Sequence, residues 1–367
     1  MKRICILHAY SPLNSGDGLL VQEAVDLVRT AVHPDVAAIT LVAVHAESFS
    51  HDDIELVTSL PRSGKQASEY VRTICNLSSY DIVVGVGGGY LRFGTCQEFL
   101  KTGLVHIPQL LAAAYSKSYS VYLPQSIGPA PRRKNSGPTQ RVLAYLLSKI
   151  DLVYVRDDKS QQFARGARAI RCSDMAIPRI AETGKWEGTA PRTPATEPVL
   201  SARMIDGEIP HLVVDLAASL PSYYVYTQST ASGNDDRNVS LALMTDLGEV
   251  SHAQLMSPTQ AQPRVVIAVR LHAALMALAA GHYVIHLGYE RKGWGAFSDL
   301  GLDDYVHSVR DFSVSRVAKQ VEALLYDPGE RELYSERVQS SLGGVADTSK
   351  ELVAALRRTE AAKRAAT

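Results

Sequence analysis

The sequence predicts an α/β fold in two halves, each built on a parallel sheet that helices cover on both faces. Short apolar runs alternate with segments of helical periodicity along most of the chain. The alternation breaks at residues 183–197 (TGKWEGTAPRTPATE), which are rich in Thr, Pro and Gly and lack periodicity. The 367 residues suffice for two ordinary domains. We therefore expect two halves joined by a flexible linker, with ligands bound in a cleft beyond the C-terminal ends of the strands.

Composition narrows the class of protein. Hydrophobic residues make up 46% and charged residues 21%, the balance of a globular protein. The 38 basic residues match the 38 acidic ones, so the sequence predicts no nucleic-acid partner. Apolar runs are too short for a membrane span, and residues 4–7 are too short for an export signal. The four cysteines form no Cys-x-x-Cys pair, so we expect a cytoplasmic protein without a structural metal site.

In the first half, predicted strands and helices follow one another in turn. Each strand is a short apolar run, and each helix has apolar residues at helical spacing. The predicted strands are residues 3–7, 38–44, 81–86, 120–123 and 152–155, and the predicted helices are residues 18–32, 63–76, 107–116 and 139–148.

The same alternation resumes after the break. The predicted strands are residues 198–201, 223–228, 265–269 and 283–287, and the predicted helices are residues 239–247, 273–280, 331–341 and 349–362. These segments divide the chain into an N-terminal domain at residues 1–182, a linker at 183–197, a C-terminal domain at 198–345 and a final helix at 346–367.

Polar loops follow the strands of the first half. In NSGD, residues 14–17, either Asn14 or Asp17 caps the next helix or the loop meets a sugar or phosphate. The run Gly87-Gly88-Gly89 makes either a sharp turn or a close approach to a ligand, and it is not a dinucleotide-binding GxGxxG motif.

Two further strand ends of the first half carry polar residues. Gln125 and Ser126 follow residues 120–123, and we expect both to point into the cleft. Arg156 ends the next strand, where it pairs either with a carboxylate or phosphate ligand or with the neighbouring Asp157 or Asp158.

The sharpest motif lies in the second half, where the apolar run VVIAV leads directly to Arg270 and His272 at the start of an apolar helix. An arginine beside the positive end of a helix favours an anion, and a histidine there is placed for proton transfer. If the following strand is its neighbour in the sheet, Lys292 adds a second phosphate contact.

These segments, in this order, resemble the polysaccharide pyruvyl transferase family. The matching segments are NSGDGLL, VVGVGGGYLR, YLPQSIGP, VYVRDDKS with CSDMA, and VIAVRLHAALMALAAG followed by HLGYERKGWGAFSDLGL. The last pair is the most specific, because its RLH element and its Tyr-x-x-Lys spacing recur together in the family. Residues 183–262 match poorly, and His282 stands where the family commonly has proline.

The resemblance implies a GT-B-like fold of two Rossmann-like domains facing a cleft. It also implies that the enolpyruvyl unit of phosphoenolpyruvate moves onto a sugar of a polysaccharide, glycolipid or lipid-linked precursor, with release of phosphate and without a metal or redox cofactor. A lipid-linked acceptor would bring the enzyme to the inner face of the membrane.

On this hypothesis His272 transfers the proton, and the C-terminal half binds the donor. The predicted donor-binding residues are Arg270, Leu271, Arg156 and Lys292. The predicted acceptor-side residues are Asn14, Asp17, Gly88, Gly89, Gln125 and Ser126. Two alternatives stay open: a GT-B glycosyltransferase that uses a nucleotide sugar, and a carbohydrate-binding relative without catalysis.

Overall fold

The computed structural model describes residues 2–34, 36–50, 52–128, 137–187, 192–231, 234–257 and 262–358. Its contacts divide the chain into two compact units. The first unit comprises Met1–Pro12, Asp17–Met175 and the chain from Thr348 onward. The second comprises Leu13–Gly16 and Ala176–Asp347.

The first unit is a doubly wound parallel sheet, which confirms the predicted class. In the described residues its strands run in the order β3-β2-β1-β4-β6-β7-β8, with β5 paired to β6 and every pairing parallel. The strands are β1 (Lys2–Ala9), β2 (Val36–Ala43), β3 (Ile54–Thr58), β4 (Ile82–Gly85), β5 (Gly88–Leu91), β6 (Tyr119–Ile127), β7 (Leu152–Val155) and β8 (Ile170–Arg171).

Helices cover both faces of this sheet. They are α1 (Ser15–Val32), α2 (Gly64–Cys75), α3 (Cys96–Lys101), α4 (Ile107–Tyr115), α5 (Gly137–Leu147) and α6 (Asp158–Phe163), and a π-helical turn at Thr102–His106 joins α3 to α4. Successive strand residues point to opposite faces, so Ile4 and Ile6 enter the core beneath α1, while Cys5 and Leu7 enter the core beneath α2, α4 and α5.

The second unit carries a smaller parallel sheet in the order β10-β9-β11-β12-β13. Its strands are β9 (Val199–Ser201), β10 (Tyr224–Val225), β11 (Val265–Ala268), β12 (Tyr283–Gly288) and β13 (Val306–Ser308). Its helices are α7 (Pro178–Glu182), α8 (His211–Ser219), α9 (Arg237–Ala242), α10 (His252–Leu255), α11 (Leu271–Ala279), α12 (Arg291–Asp299), α13 (Val314–Tyr326) and α14 (Pro328–Arg357). Throughout the described ranges, no helix has both the length and the apolarity needed to cross a membrane.

The expected linker at residues 183–197 packs against the second unit wherever the structure describes it. The Trp186 indole donates to the Leu278 carbonyl at 2.8 Å, and an Arg192 nitrogen donates to the Gly281 carbonyl at 2.7 Å. Side-chain packing rather than a regular element holds this segment, which explains its lack of periodicity. The unit boundary accordingly falls before Ala176 instead of after residue 182.

The expected separate helix at residues 346–367 is the end of the continuous helix α14, and residues 359–367 lie outside the described ranges. The gap between the helices predicted at residues 331–341 and 349–362 contains Gly343 and Gly344, yet Leu342 and Val345 are buried on either side of these glycines. Tertiary packing outweighs the helix penalty of about 1 kcal/mol per glycine. Beyond Thr348, the helix contributes core residues to the first unit.

Candidate active site

The second sheet reverses its winding between β9 and β11. From β9 the chain goes to β10 on one side, then returns to β11 on the other. Ligands of open parallel sheets bind beyond the C-terminal strand ends at such a point. Arg203 follows β9 here, and Arg270 follows β11, so a basic residue lies on each side of the switch point.

Arg270 is buried, and carboxylate oxygens hold its guanidinium. Its Nη2 donates to Asp236 Oδ1 at 2.8 Å and to the Asn234 carbonyl at 2.9 Å, while its Nε donates to Asp236 Oδ2. Burial raises the pKa of Asp236, against the lowering effect of the Arg270 hydrogen bonds. Arg270, which was predicted to bind the donor, therefore forms a buried ion pair with Asp236 through two hydrogen bonds.

His272 occupies the first turn of α11, and the loop at Leu13–Gly16 packs against it. A Cβ built on Gly16 would lie 2.6 Å from both Cβ and Nδ1 of His272, so only glycine allows this approach. The loop is anchored to the same unit: the Ser15 hydroxyl donates to the Gln228 carbonyl at 3.0 Å, and the Thr230 N–H donates to the Leu13 carbonyl. Two sequence motifs 256 positions apart therefore meet.

This packing changes the predicted division of the motifs. Asn14 was expected on the acceptor side of the N-terminal domain, but its residue belongs to the second unit. Its Oδ1 accepts the Gly16 N–H at 3.2 Å at the start of α1, which is the capping role. Asp17 lies in the first turn of that helix and belongs to the first unit. The pairing of Asn14 with Ser229 across a β-bridge explains the reassignment.

Arg203 is a basic residue that the sequence reasoning missed. Its Nη1 donates to the Tyr289 hydroxyl at 2.8 Å, its Nη2 donates to Asn234 Oδ1 at 3.3 Å, and its guanidinium carbon lies 5.0 Å from the centroid of the Tyr289 ring. Within the described ranges, no carboxylate forms an ion pair with it. Because Asn234 contacts both arginines, Arg203 and Arg270 converge on one short loop. Its position two residues after the end of β9 was the signal in the sequence that could have marked it as a site residue.

Lys292 lies after β12, which pairs with β11, as the prediction required. Its Nζ lies 2.9 Å from Glu290 Oε2, and both side chains are mostly buried. Like Arg270, it already has a carboxylate partner. Leu271 lies between Arg270 and His272, and α11 begins at this residue. Its side chain is buried, so its backbone N–H, at the helix N-terminus, is the group that could bind a ligand.

Two buried polar atoms at this edge have no hydrogen-bond partner among the described residues. They are Oγ of Ser201, at the end of β9, and Oε1 of Gln228, which follows β10. Buried polar atoms are nearly always hydrogen-bonded, so orphaned ones mark places where a ligand or water supplies the partner.

Arg156 lies in the first unit, apart from Arg270 and Lys292 in sequence and in fold. Its side chain is 98% buried. The guanidinium donates from Nη1 to Asp174 and from Nε to Ser126 Oγ, the latter at 3.0 Å. Its Nη2 has no partner in the part of the chain described here and lies 3.6 Å from the Cβ position of Gly89. Its carboxylate partner is therefore Asp174 rather than the expected Asp157 or Asp158, and its part in donor binding stays a prediction.

The expected loops around the three glycines and around Gln125 are strands. Gly88 and Gly89 lie in β5, and Gln125 and Ser126 lie in β6, where Gly88 pairs with Gln125. Gly88 has φ +144°, a backbone conformation that favours glycine. A register shift between Tyr122 and Gln125 lets β6 continue past Pro124, which sequence reasoning took as its end. Both amide atoms of buried Gln125 lack a partner in the described residues.

A cluster of two histidines and two tyrosines lies at the switch point of the first sheet, at the C-terminal ends of β1 and β4. His8 has φ +70°, and its ring stacks on Tyr90 with centroids 4.4 Å apart. His8 Nε2 lies 2.8 Å from the Tyr122 hydroxyl, and its Nδ1 lies 3.4 Å from Nδ1 of His106. Sequence reasoning missed this cluster, although His8 directly follows an apolar strand.

Burial keeps this cluster uncharged. Desolvation, with a smaller effect from Lys101, lowers the pKa of His106 to about 3, and desolvation with the His106 charge lowers the pKa of His8 well below its usual value. Desolvation also raises the pKa of Tyr90 and of Tyr122. At neutral pH the first switch point presents neutral hydrogen-bonding rings. No group of three metal-ligating side chains forms in the described residues.

Comparison with known proteins identifies the fold. HepE (Alr3699) of Anabaena, solved in complex with UDP and glucose, is 12% identical with a TM-score of 0.52, covering 100% of both chains. A putative UDP-N-acetylglucosamine 2-epimerase of Listeria monocytogenes is 12% identical with a TM-score of 0.55, covering 97% of this chain and 96% of that one. An α,α-trehalose 6-phosphate synthase of Burkholderia multivorans is 13% identical with a TM-score of 0.54, covering 99% and 100%.

These similarities establish an α/β fold of the GT-B type, as the resemblance implied. No functionally curated protein matches the sequence. The family model described as polysaccharide pyruvyl transferase matches residues 14–291, which include the NSGD loop, the three glycines, Arg156 and the Arg-Leu-His element. Because this match spans most of the 367 residues, the chain belongs to the polysaccharide pyruvyl transferase family.

Proposed function

We propose that the protein transfers the enolpyruvyl unit of phosphoenolpyruvate to a sugar diol, forming a cyclic pyruvate ketal and releasing phosphate. The observation that carries this proposal is the convergence of Arg203 and Arg270 at the second switch point, beside His272 in the first turn of α11. Family membership supports a transferase, and the anionic donor is the finer part of the proposal.

The donor carries a phosphate and a carboxylate, so it needs positive charge that is not already neutralised. Arg270 and Lys292 each face a carboxylate within the protein. Arg203 donates only to neutral oxygens among its described partners. We therefore assign the anion mainly to Arg203, with the backbone at Leu271 as a helix N-terminus and Arg270 holding the loop at Asn234 in place.

The proposed chemistry needs one group that both accepts and donates a proton, and His272 takes that part. It removes the proton of the first sugar hydroxyl and delivers a proton to the methylene carbon of the donor, as the hydroxyl oxygen bonds to the adjacent carbon. The second hydroxyl then bonds to that carbon, the C–O bond to phosphate breaks, and the remaining proton leaves with phosphate. The atoms and electrons of this reaction balance without a metal or a redox cofactor.

The sugar is proposed to meet the first unit through Gly88, Gly89, Gln125 and Ser126, together with Asp17 in the first turn of α1. Support comes from the unpartnered amide of Gln125 and from the neutral ring cluster around His8. Uncharged donors and acceptors beside aromatic rings suit a neutral carbohydrate better than an anion.

Calorimetry with phosphoenolpyruvate and with UDP-glucose tests the donor without knowledge of the acceptor. We expect the wild type to bind phosphoenolpyruvate, and we expect Arg203→Gln to weaken that binding roughly 10- to 100-fold, the usual effect of losing a charge-assisted hydrogen bond. Arg310→Gln is the matched control, because Arg310 pairs with Asp206 on the exposed surface of the same unit.

A glycosyltransferase is the second candidate, favoured by the shared fold with HepE, which was solved with UDP and glucose. Binding of UDP-glucose without phosphoenolpyruvate would replace the present proposal with that one. Binding of phosphoenolpyruvate that both variants retain would leave the donor in place and remove Arg203 from its site.

A further inference from the structure

Helices α2, α3–α4 and α5 of the first unit expose large apolar side chains to solvent. On α3–α4, Leu100, Leu104, Leu111 and Tyr115 point outward, and Leu104 in the π-helical turn is 74% exposed. Their spacing of four, seven and four residues follows one face of the helical run. The opposite face is apolar as well, since Leu110, Ala113 and Ala114 enter the core. This helical run is therefore apolar on two sides, and only one is packed.

The neighbouring helices extend the exposed apolar surface. Val71 on α2 and Val142 and Tyr145 on α5 are each more than half exposed. Helix α4 packs directly beside α5 and also contacts α2. We call this surface the apolar face and define it by seven residues: Val71, Leu100, Leu104, Leu111, Tyr115, Val142 and Tyr145. Patches of this kind mark interaction sites.

The helical segments that carry the apolar face are rich in exposed basic side chains. Residues 64–76, 96–117 and 139–149 contain six lysines and arginines, all exposed: Lys65, Arg72, Lys101, Lys117, Arg141 and Lys149. The acidic residues of the same segments are Glu69 and Glu98, and Glu98 is bound by Arg92 at 2.8 Å. The segments that carry the apolar face thus have an excess of basic residues, in a chain whose net charge is zero.

We propose that the apolar face docks on the surface of an anionic lipid bilayer. Leucine and valine side chains enter the headgroup boundary, tyrosines lie at the interface, and the lysines and arginines of the same segments meet anionic headgroups. Lys149 extends over the Tyr145 ring, 5.1 Å from its centroid, as expected for a long side chain that covers apolar surface and keeps its charge in water. The proposal concerns the first unit alone and is independent of the donor.

A second copy of the chain fits this surface less well. A two-fold dimer brings the same patch of both copies together, so the basic residues of one copy would face those of the other. Like charges across an interface oppose association. The sign of the charge therefore favours an anionic lipid surface over self-association.

Flotation with vesicles tests the proposal. We expect the full-length protein to float with vesicles that contain phosphatidylglycerol, to bind weakly to pure phosphatidylcholine, and to dissociate as salt rises. The double variant Leu104→Asp/Leu111→Asp should lower the partition coefficient at least about 10-fold. The control, Leu241→Asp/Tyr326→Asp, changes two apolar residues of the second unit that are each more than 60% exposed, and it should bind like the wild type.

Three results would overturn the proposal: no flotation of the wild type, equal flotation of the apolar-face variant, or a dimer that this variant dissociates without any binding of vesicles. Circular dichroism and phosphoenolpyruvate calorimetry on the same variants show whether the fold and the donor site are unaffected. Failure of the lipid proposal and failure of the proposed function are therefore distinguishable.

Discussion

At its switch point the first sheet presents two histidines and two tyrosines that burial keeps uncharged, whereas the second sheet presents two arginines and a histidine at the corresponding place. Both sheets are parallel and both reverse their winding between the first strand and a later one. The same fold rule therefore selects the place, and the side chains at the strand ends select the chemistry. One edge suits a neutral hydroxyl-rich molecule, and the other suits an anion.

The largest expected effect tests whether the reaction depends on the second switch point. His272→Ala should lower turnover by about 10²- to 10⁴-fold, the usual contribution of a general acid–base group, and should leave phosphoenolpyruvate binding largely intact. Phosphate release from phosphoenolpyruvate with a panel of glycans measures turnover. His307→Ala, which removes a histidine from β13 of the same sheet, is the control. Unchanged turnover in His272→Ala would exclude its catalytic role.

The second prediction tests whether the buried Arg270–Asp236 ion pair at the second switch point also stabilises the fold. Arg270→Ala leaves buried Asp236 without the guanidinium that binds both of its carboxylate oxygens. Breaking a buried pair in this way costs about 3–5 kcal/mol, so the free energy of unfolding should fall by that order. Chemical denaturation measures it. The double variant Arg270→Met/Asp236→Leu removes both charges and should recover much of the loss; no recovery would contradict the paired role.

The smallest effect tests the neutral character of the first switch point. The pKa of His106 is about 3 in the folded protein and near 6.5 when the chain is unfolded, so the unfolded chain binds more protons between these values. Stability should therefore decrease as the pH falls from about 6.5 toward 3, at up to about 1.4 kcal/mol per pH unit for this group.

Denaturation at a series of pH values in His106→Asn measures this contribution. The variant should lose stability less steeply in acid than the wild type, whereas His211→Asn, at an exposed position on α8, should keep the wild-type slope. His282 and His286 in the second unit, with pKa values lowered to about 4 by burial, contribute to the slope in the wild type and in both variants. An unchanged slope in His106→Asn would mean that the pair of histidines is not held neutral.

The strand positions and the Arg-Leu-His junction could be predicted from the sequence because both depend on local pattern. Apolar runs predicted β7 at its observed limits, and VVIAV placed Arg270 at the start of α11. Ion pairing was not accessible, because Asp236 lies 34 positions from Arg270 and no local pattern links them. The charge of a residue is visible in a sequence, but its neutralisation is a property of the fold.

The departures from prediction share a cause. The strand end predicted before Pro124 and the gap predicted between the last two helices, at Gly343-Gly344, reflect local preferences that packing overrides. The segment 183–197 lacks periodicity because contacts of side chains such as Trp186 hold it in place. The His8 cluster combines residues from β1, β5, the π-helical turn and β6, so only the assembled sheet defines it.

The loop Leu13–Gly16 has a consequence for biosynthesis. The second unit incorporates this stretch, which is translated before most of the first unit, and the first unit incorporates the chain from Thr348 onward, which is translated after the second unit. Neither unit is a single uninterrupted length of chain, so the first unit cannot complete its core until the second unit has been translated, in contrast to the usual sequential order. Expression of residues 176–347 alone would yield a second unit in which the glycine that contacts His272 is missing.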